Sequence, residues 1–370
     1  MRRAYLFKLY PTRAQASLLA QALEAHRLLY NTALQQRRDV WQQRGRSVSY
    51  YDQSRELPEC RREELAGTNH SSCQATLRRL DRAFSAFFRR LKAGERPGYP
   101  RFKGRTRFDS IEFPSVGDGC GFDPVARRIY VQHVGHVKVK LHRMPAGQLK
   151  TITLKRLPDG WHAVLSCDLG EVAVPASSGP AVGLDLGLTA FVTTSGGDKI
   201  GPPRFLRSAQ ADLRRAQRRV ARRQKGSHRR HKAVHALAVI HQCVANRRRN
   251  WHHHLAHQLV QKYGLIAVEH LNIRGIARSR LAKSTLDAAW GQFLGILRHK
   301  AESAGVEVVT VPARNTSQVC SQCGALPEVP LGLDDRVYRC DCGAVLDRDH
   351  NAALNVLRLG WSRRALTGPK

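Results

Sequence analysis

The sequence predicts a multidomain α/β protein from three successive textures: a helical stretch, a run of short alternating segments, and a last stretch where apolar strand-like runs mix with helical periodicity around a cysteine cluster. The chain has 370 residues, enough for two or three domains, and 42% of them are hydrophobic, so sizeable cores can form. Lys and Arg number 62 against 29 Asp and Glu, a formal charge of +33. Such a charge repels itself unless a polyanion neutralises it, and nucleic acid is the natural one. The basic residues recur from Arg2 to Lys370 instead of gathering on one amphipathic helix, which disfavours a membrane surface. No apolar run approaches the roughly 18 residues of a membrane-spanning helix, and Met1 to Lys8 lacks a signal peptide's apolar stretch, so a cytoplasmic location is expected.

Taken in order, Ala4 to Tyr10 alternates apolar and polar residues and stops at Pro11, a short strand. From Thr12 to about Leu91, Leu18, Leu19, Leu23, Leu28, Leu29 and Ala33 keep helical spacing, and a further helix covers Cys73 to Phe88. Pro97, Gly98 and Pro100 then punctuate the chain. Ile129 to Val131 and Val137 to Leu141 belong to a small all-β unit that runs to about Val174, and the opening strand is expected to join it. Pro175 to Pro180 reads as a linker, and Ala181 to Thr194 as two strands joined by a tight glycine turn. Arg204 to Asn250 holds 15 Lys and Arg against one acid, Asp212. With Leu237, Ile240, Val244, Trp251, Leu255 and Leu259 at helical spacing, a long helix is expected, one stripe on a core and the other face toward phosphates.

Three acids stand at the edges of apolar segments: Asp185 in Val-Gly-Leu-Asp-Leu-Gly, Glu269 ending Leu265 to Val268, and Asp349 in the first turn of a helix that Asp347 would cap. Hydrolysis of a phosphodiester by two Mg²⁺ ions needs hard oxygen ligands converging from separate elements, which these could supply. Nine cysteines are present, five single and four bunched as Cys320, Cys323, Cys340 and Cys342. Two close pairs across sixteen residues have the arrangement of a four-thiolate zinc site, structural because no ligand position stays open. The second pair is one residue shorter than usual, a deficit that a tight turn at Gly343 could absorb. His252, His253 and His254 point about 100° apart on a helix and cannot share one ion; core packing or phosphate contact suits them better.

These residues lie in motifs that resemble the TnpB (OrfB) proteins of small bacterial insertion sequences, relatives of type V CRISPR effectors. The resemblance spans nearly the whole chain and is most specific at Gly183 to Gly187, Val268 to Leu271, Arg314 to Gly324, Cys342-Gly343 and Asp347 to Ala353. Weaker matches are Lys8 to Pro11, Tyr30-Asn31 and Pro100 to Lys103. It implies an RNase H-like (RuvC) nuclease domain over 180–313 and 344–370, interrupted by a zinc ribbon at 314–343. A wedge-like β barrel at 1–10 and 98–175 would precede it, carrying a helical recognition insert at 11–97. By the same resemblance Asp185, Glu269 and Asp349 hold two catalytic Mg²⁺ ions, Mn²⁺ being a substitute, while Zn²⁺ is structural. The partners would be a guide RNA and target double-stranded DNA, with base pairing selecting the target. Tyr50, Tyr51 and Gln74 would face flanking DNA, and Arg348 with the basic helix would hold strands near the site. The implied function is RNA-guided DNA cleavage. Two rivals remain, a nuclease-inactive RNA-guided regulator and a strand transferase or accessory acting in transposition, and the oligomeric state stays open.

Overall fold

The structure, a computed structural model, describes residues 1–63, 65, 67–171, 175–332 and 334–367, with backbone alone at 61, 63, 274, 366 and 367. The end of the expected β unit (172–174), residue 333 of the expected ribbon and residues 368–370 therefore lie outside the described residues. Two compact units divide the chain, Met1–Val172 and Ala173–Lys370. No helix of the described residues is long and apolar enough to cross a membrane.

The first unit contains β1 (Arg2–Tyr10), α1 (Arg13–Arg44), α2 (Tyr50–Glu63), α3 (His70–Lys92) and then β2 (Ser110–Phe113), β3 (Cys120–Asp123), β4 (Arg128–Val131), β5 (Gly135–Lys140), β6 (Gln148–Leu157) and β7 (Gly160–Asp168). Its seven-stranded antiparallel sheet has the order β2-β6-β7-β1-β5-β4-β3. The opening strand does join the later ones: Arg2 to Lys8 pair with Asp168 to His162, and Lys8 to Tyr10 with Lys140 to Lys138. Tyr5, Phe7 and Leu9 fall on one face at a period of two and are buried. The helices between these partners start at clear signals. Thr12 and Gln15 form a capping box for α1, which stops at Gly45 in a left-handed conformation (φ +60°). Asn69 caps α3, whose buried stripe includes Leu77, Leu80 and Phe84.

The second unit runs through β8 (Ala181–Asp185), β9 (Val192–Thr194), β10 (Lys199–Ile200), α4 (Phe205–Ser208), α5 (Gln210–Ala221), α6 (His228–Lys262), β11 (Leu265–His270), α7 (Ile273–Ile276), α8 (Ala282–Ala288), α9 (Trp290–Ala304), β12 (Glu307–Pro312), β13 (Val337–Arg339), β14 (Val345–Asp347) and α10 (Arg348–Thr367). Its mixed sheet has the order β10-β9-β8-β11-β12, with β8, β11 and β12 parallel and β9 and β10 antiparallel. Leu255, Leu259, Phe293 and Leu297 bring α6 and α9 onto one side of it. Helix α10 contacts β8, β11 and β12, and Val356 joins Ala267 and Val311 in a separate small core.

Three local expectations change. The connection from β8 to β9 takes residues 186–191, longer than a tight glycine turn. The basic stretch is not one helix: α5 ends at Ala221, and α6 restarts behind Gly226 (φ +82°) with Ser227 as its N-cap, its side chain accepting from Arg230 N. The expected linker is fastened to the second unit, Ser177 N donating to Gly305 O at 2.9 Å and Gly264 N to Pro180 O at 3.0 Å.

Candidate active site and metal centres

Parallel pairing aligns Leu265 to Val268 of β11 with Ala181 to Leu184 of β8. The next position on each strand is an acid, so Asp185 and Glu269 emerge side by side at the strand ends, where neighbouring strands lie about 4.8 Å apart. Gly183 explains how α10 reaches them. A Cβ there would come within 2.6 Å of Leu357 N and collide with Ala353 O, so the helix backbone rests directly on β8. Gly360 makes the same close approach to Ala267 of β11, where its Cβ would lie 2.6 Å from that side chain. Asp349 sits four residues before Ala353 and therefore on the same helix face, one turn nearer the strand ends. Asp347 fixes that first turn, its Oδ1 accepting from the N–H groups of Asp349 and His350 at 3.1 Å, as expected of a cap. Lys199 Nζ grips its other oxygen at 2.7 Å.

The field at this point is strongly negative. Burial first, then the charges of Glu269 and Asp349, raise the Asp185 carboxyl against the opposing pull of Arg348, and the net result is a value of about 8. Burial also raises Glu269, partly offset by a hydrogen bond from Thr316. Asp185 and Asp349 are half-buried and Glu269 is fully buried. Two buried acids whose charged forms are disfavoured, Asp185 and Glu269, with Asp349 acting on Asp185, make a site suited to a divalent cation, whose charge would replace the missing proton. The carboxylate oxygens are not as tightly gathered as the cysteine sulfurs: among the described residues, only the four cysteines bring their ligand atoms within 4.8 Å of one another.

Beneath Glu269 lies a buried polar brace. The Thr316 hydroxyl donates to Glu269 Oε1 and also contacts Ala313 O. Asn355 Nδ2 donates to Thr316 O at 2.9 Å and to Val319 O, while Asn351 donates to Val319 O at 2.8 Å and accepts from Ser321 N at 2.9 Å. Both asparagines are completely buried on α10. They tie the strand leaving β12 to the helix that carries Asp349. Thr316 and Asn351 lie within the motifs named above but without a role of their own, and Asn355 lies outside them; the four-residue spacing of Asn351 and Asn355 within an apolar helix stripe is the sequence signal for the brace. Arg348 is also held, donating to Gly332 O and, at 3.4 Å, to Asp335 O and Ser317 Oγ.

The cysteines converge as their spacing predicts. Cys320 and Cys342 sulfurs are 3.7 Å apart and those of Cys323 and Cys340 3.5 Å apart. Four thiolates placed tetrahedrally around Zn²⁺ at about 2.3 Å would stand roughly 3.8 Å from one another, so the set fits that ion. The short second pair closes through Gly343, whose φ is +90° and whose N–H donates to Cys340 O at 2.9 Å. Burial pushes the Cys320 thiol up, but N–H groups of Cys323 and Gln322 bring it down to about 6. Against the pull of the Cys342 N–H, burial and the neighbouring thiols push Cys340 up to about 12, and Cys342 is raised too, so without a cation the four sulfurs do not ionise together.

The remaining candidates are placed as follows. His252 is a core residue, buried against Phe191 and Phe293 with its Nε2 3.1 Å from Ala288 O, and burial lowers it to about 4. In the first unit, Tyr50 and Tyr51 meet edge to face at 5.3 Å, Arg78 lies over Tyr50, and Gln74 donates to Ser54 at 3.3 Å. Tyr51 is 73% exposed. These residues share the surface between α2 and α3.

Three family models match separate stretches of the chain. The family described as "Probable transposase" matches residues 165–280, the "Cas12f1-like, TNB domain" matches 290–356, and a "Helix-turn-helix domain" matches 1–46. The last segment here is one strand and one unbroken 32-residue helix. A protein of Streptomyces pristinaespiralis named "Putative RNA-guided DNA endonuclease" is 33% identical over 99% of this chain and 91% of its own length. InsQ of Escherichia coli K12, described in the same words, is 27% identical over 97% and 92%. A solved Cas12f1–sgRNA–target DNA complex contains a chain of similar fold, with a TM-score of 0.60 and 14% identity over 93% of this chain and 83% of that one.

Proposed function

Because this chain belongs to the TnpB (OrfB) family of RNA-guided nucleases, we propose that it is an RNA-guided DNA endonuclease that hydrolyses target phosphodiesters at Asp185, Glu269 and Asp349. The observation that carries the reading is convergence: parallel register places two acids side by side, and the Gly183 contact sets the third on a helix lying across them. The five-stranded mixed sheet supports an RNase H-like (RuvC) nuclease domain within the second unit. The seven-stranded sheet of the first unit, with three helices inserted after its central strand, supports the wedge-and-insert reading of residues 1–175.

Asp185, Glu269 and Asp349 would hold the ions, which supply an activated water and charge stabilisation at the leaving oxygen. Asp185 feels the charge of both other acids and would suit a shared ligand. Thr316 holds Glu269 in one rotamer, and the Asp347 cap holds the turn that presents Asp349. The same unit carries fifteen cations between Arg204 and Asn250, a positive charge that would offset the repulsion that acids impose on an incoming phosphate. Cys320, Cys323, Cys340 and Cys342 would hold one structural Zn²⁺, in keeping with the reduced thiols of a cytoplasmic protein. The partners are a guide RNA and double-stranded DNA, with flanking DNA met by Tyr50, Tyr51 and Gln74, and strands near the site held by Arg348.

The test uses protein purified with its own RNA, a matching duplex and Mg²⁺. Wild type should cut and release free ends, whereas Asp185→Ala should bind RNA and duplex with unchanged affinity and cut at background. Undiminished cutting by the variant would refute the assignment, joined strands would indicate transfer chemistry, and a silent wild type would favour a regulator that only binds.

A further inference from the structure

The first unit contains a second binding feature that the nuclease reading leaves unused. Between α1, α3 and the segment after α3 lies a cavity of about 500 Å³, walled by Trp41, Phe84, Phe87 and Tyr99 with Arg37 at its base. Tyr99 sets its ring edge to face against Phe84 (5.4 Å, 89°) and Phe87 (5.5 Å, 73°), so the rings of the wall pack on one another. Its outer members are nevertheless open to solvent, Trp41 at 60% and Tyr99 at 43%. Arg37 is the informative residue. Only 7% of it is exposed, Gln53 accepts from its Nε at 3.0 Å, and Asp81 accepts from Nη1 at 3.2 Å, but Nη2 is buried with no hydrogen-bond partner. The guanidinium also lies over the Phe84 ring at 5.1 Å, but a charged donor buried without an acceptor is costly, and here it lines a cavity large enough to admit one.

We propose that this cavity is a pocket for an unpaired nucleobase of the bound nucleic acid. A base has two π-faces to stack on Trp41 or Tyr99 and, on its edge, carbonyl and ring-nitrogen acceptors for Arg37 Nη2. Its phosphates also have partners at the rim. Arg38 lies over Phe102 at 5.4 Å, and a neighbouring cavity of about 520 Å³ shares Trp41 and Tyr99 and adds Arg38 and Arg101. An apolar peptide would satisfy the aromatic wall but not the orphan guanidinium N–H or the cationic rim. The shared chemistry is the base, which either guide RNA or a separated DNA strand could supply. The proposal rests on the nucleic-acid reading above but not on the acidic site, so the two fail separately.

The experiment measures binding of full-length protein, by fluorescence anisotropy, to a thymidine dodecamer, a uridine dodecamer and an abasic dodecamer of equal charge. Trp41→Ala should weaken binding of the base-bearing strands about tenfold, as loss of one stacking platform does, with abasic binding unchanged. Trp41→Phe should restore it. A loss confined to thymidine assigns the base to DNA, one confined to uridine assigns it to RNA, and both support the pocket. Equal losses for base-bearing and abasic strands, or no loss at all, overturn it, the second leaving the cavity to an apolar protein partner. Trp41 is exposed, so its removal spares the core. A protein that discriminates bases normally but never cuts would refute the nuclease assignment and leave the pocket standing.

Discussion

The second unit builds two metal centres by opposite routes. The cysteine cluster draws its ligands from one short span, Cys320 to Cys342, and a knuckle and a glycine turn bring the four sulfurs within 4.8 Å of one another. The acidic cluster draws Asp185, Glu269 and Asp349 from the ends of two strands and the start of the last helix, and only packing brings them together. A local centre depends on its own loop. A dispersed centre depends on every contact that sets the elements against each other, so its weak points can be found far from any ligand.

Two glycine substitutions should separate these cases most sharply. Gly183→Ala places a methyl against the Ala353 carbonyl and Leu357 N, and because both are backbone the helix must move off β8. Overpacking of this kind costs about 1–3 kcal/mol, and the displaced helix carries Asp349 away from its partners. Cleavage should fall to background, with guide RNA binding retained. Gly343→Ala meets nothing within 4 Å, but its φ of +90° strains any other residue by about 1–2 kcal/mol. That variant should keep its acidic site and show its defect in zinc content, measured by elemental analysis of the purified protein. Comparable cleavage by the two variants would remove the distinction between local and dispersed centres.

A smaller effect is expected at the link between the two centres. Thr316 lies four residues before Cys320, and its hydroxyl holds Glu269. Thr316→Val keeps the shape and removes the donor. Support of this kind is typically worth about 10- to 100-fold in metal affinity or activity, so cleavage should need correspondingly more Mg²⁺. Thr316→Ser should restore the wild-type Mg²⁺ titration, which a purely structural defect would not allow. If Thr316→Val cuts at wild-type Mg²⁺, the link carries no function.

This contrast also explains what could be read from sequence. The cysteines are legible because their spacing is itself the geometry, and Asp347 because a cap acts within one turn. Asp185 and Glu269 show as acids ending apolar runs, yet nothing local says that β8 and β11 are neighbours; the expectation that the trio acts together came from a strongly basic chain and from family resemblance. Thr316 and Glu269 are 47 residues apart and meet only through β12 and α10. The break between α5 and α6 was within reach, since Gly226 and Ser227 are stop and cap signals. Apolar spacing beyond them concealed it. The spare donor of Arg37 was not, because an unmatched N–H becomes visible only when all its neighbours are in place.

The smallest expected effect concerns protons and distinguishes the acidic centre even without cleavage. The Asp185 carboxyl is raised to about 8 from an ordinary 3.8. Between those values the folded protein holds a proton that the unfolded chain has released, so stability is greatest at the acid end of the window and declines as pH rises toward 8. Burial raises Glu269 in the same direction. Asp185→Asn cannot ionise and escapes its share of this penalty. In EDTA its thermal midpoint should therefore exceed that of wild type by a margin that widens from pH 6 to pH 8.5, at about 2–4 °C for each kcal/mol in a unit of this size. Mg²⁺ should narrow the margin at pH 8.5 by supplying to wild type the positive charge that the proton otherwise provides. A margin independent of both pH and Mg²⁺ would mean that the three carboxylates do not share one field, and the dispersed centre would lose its electrostatic basis.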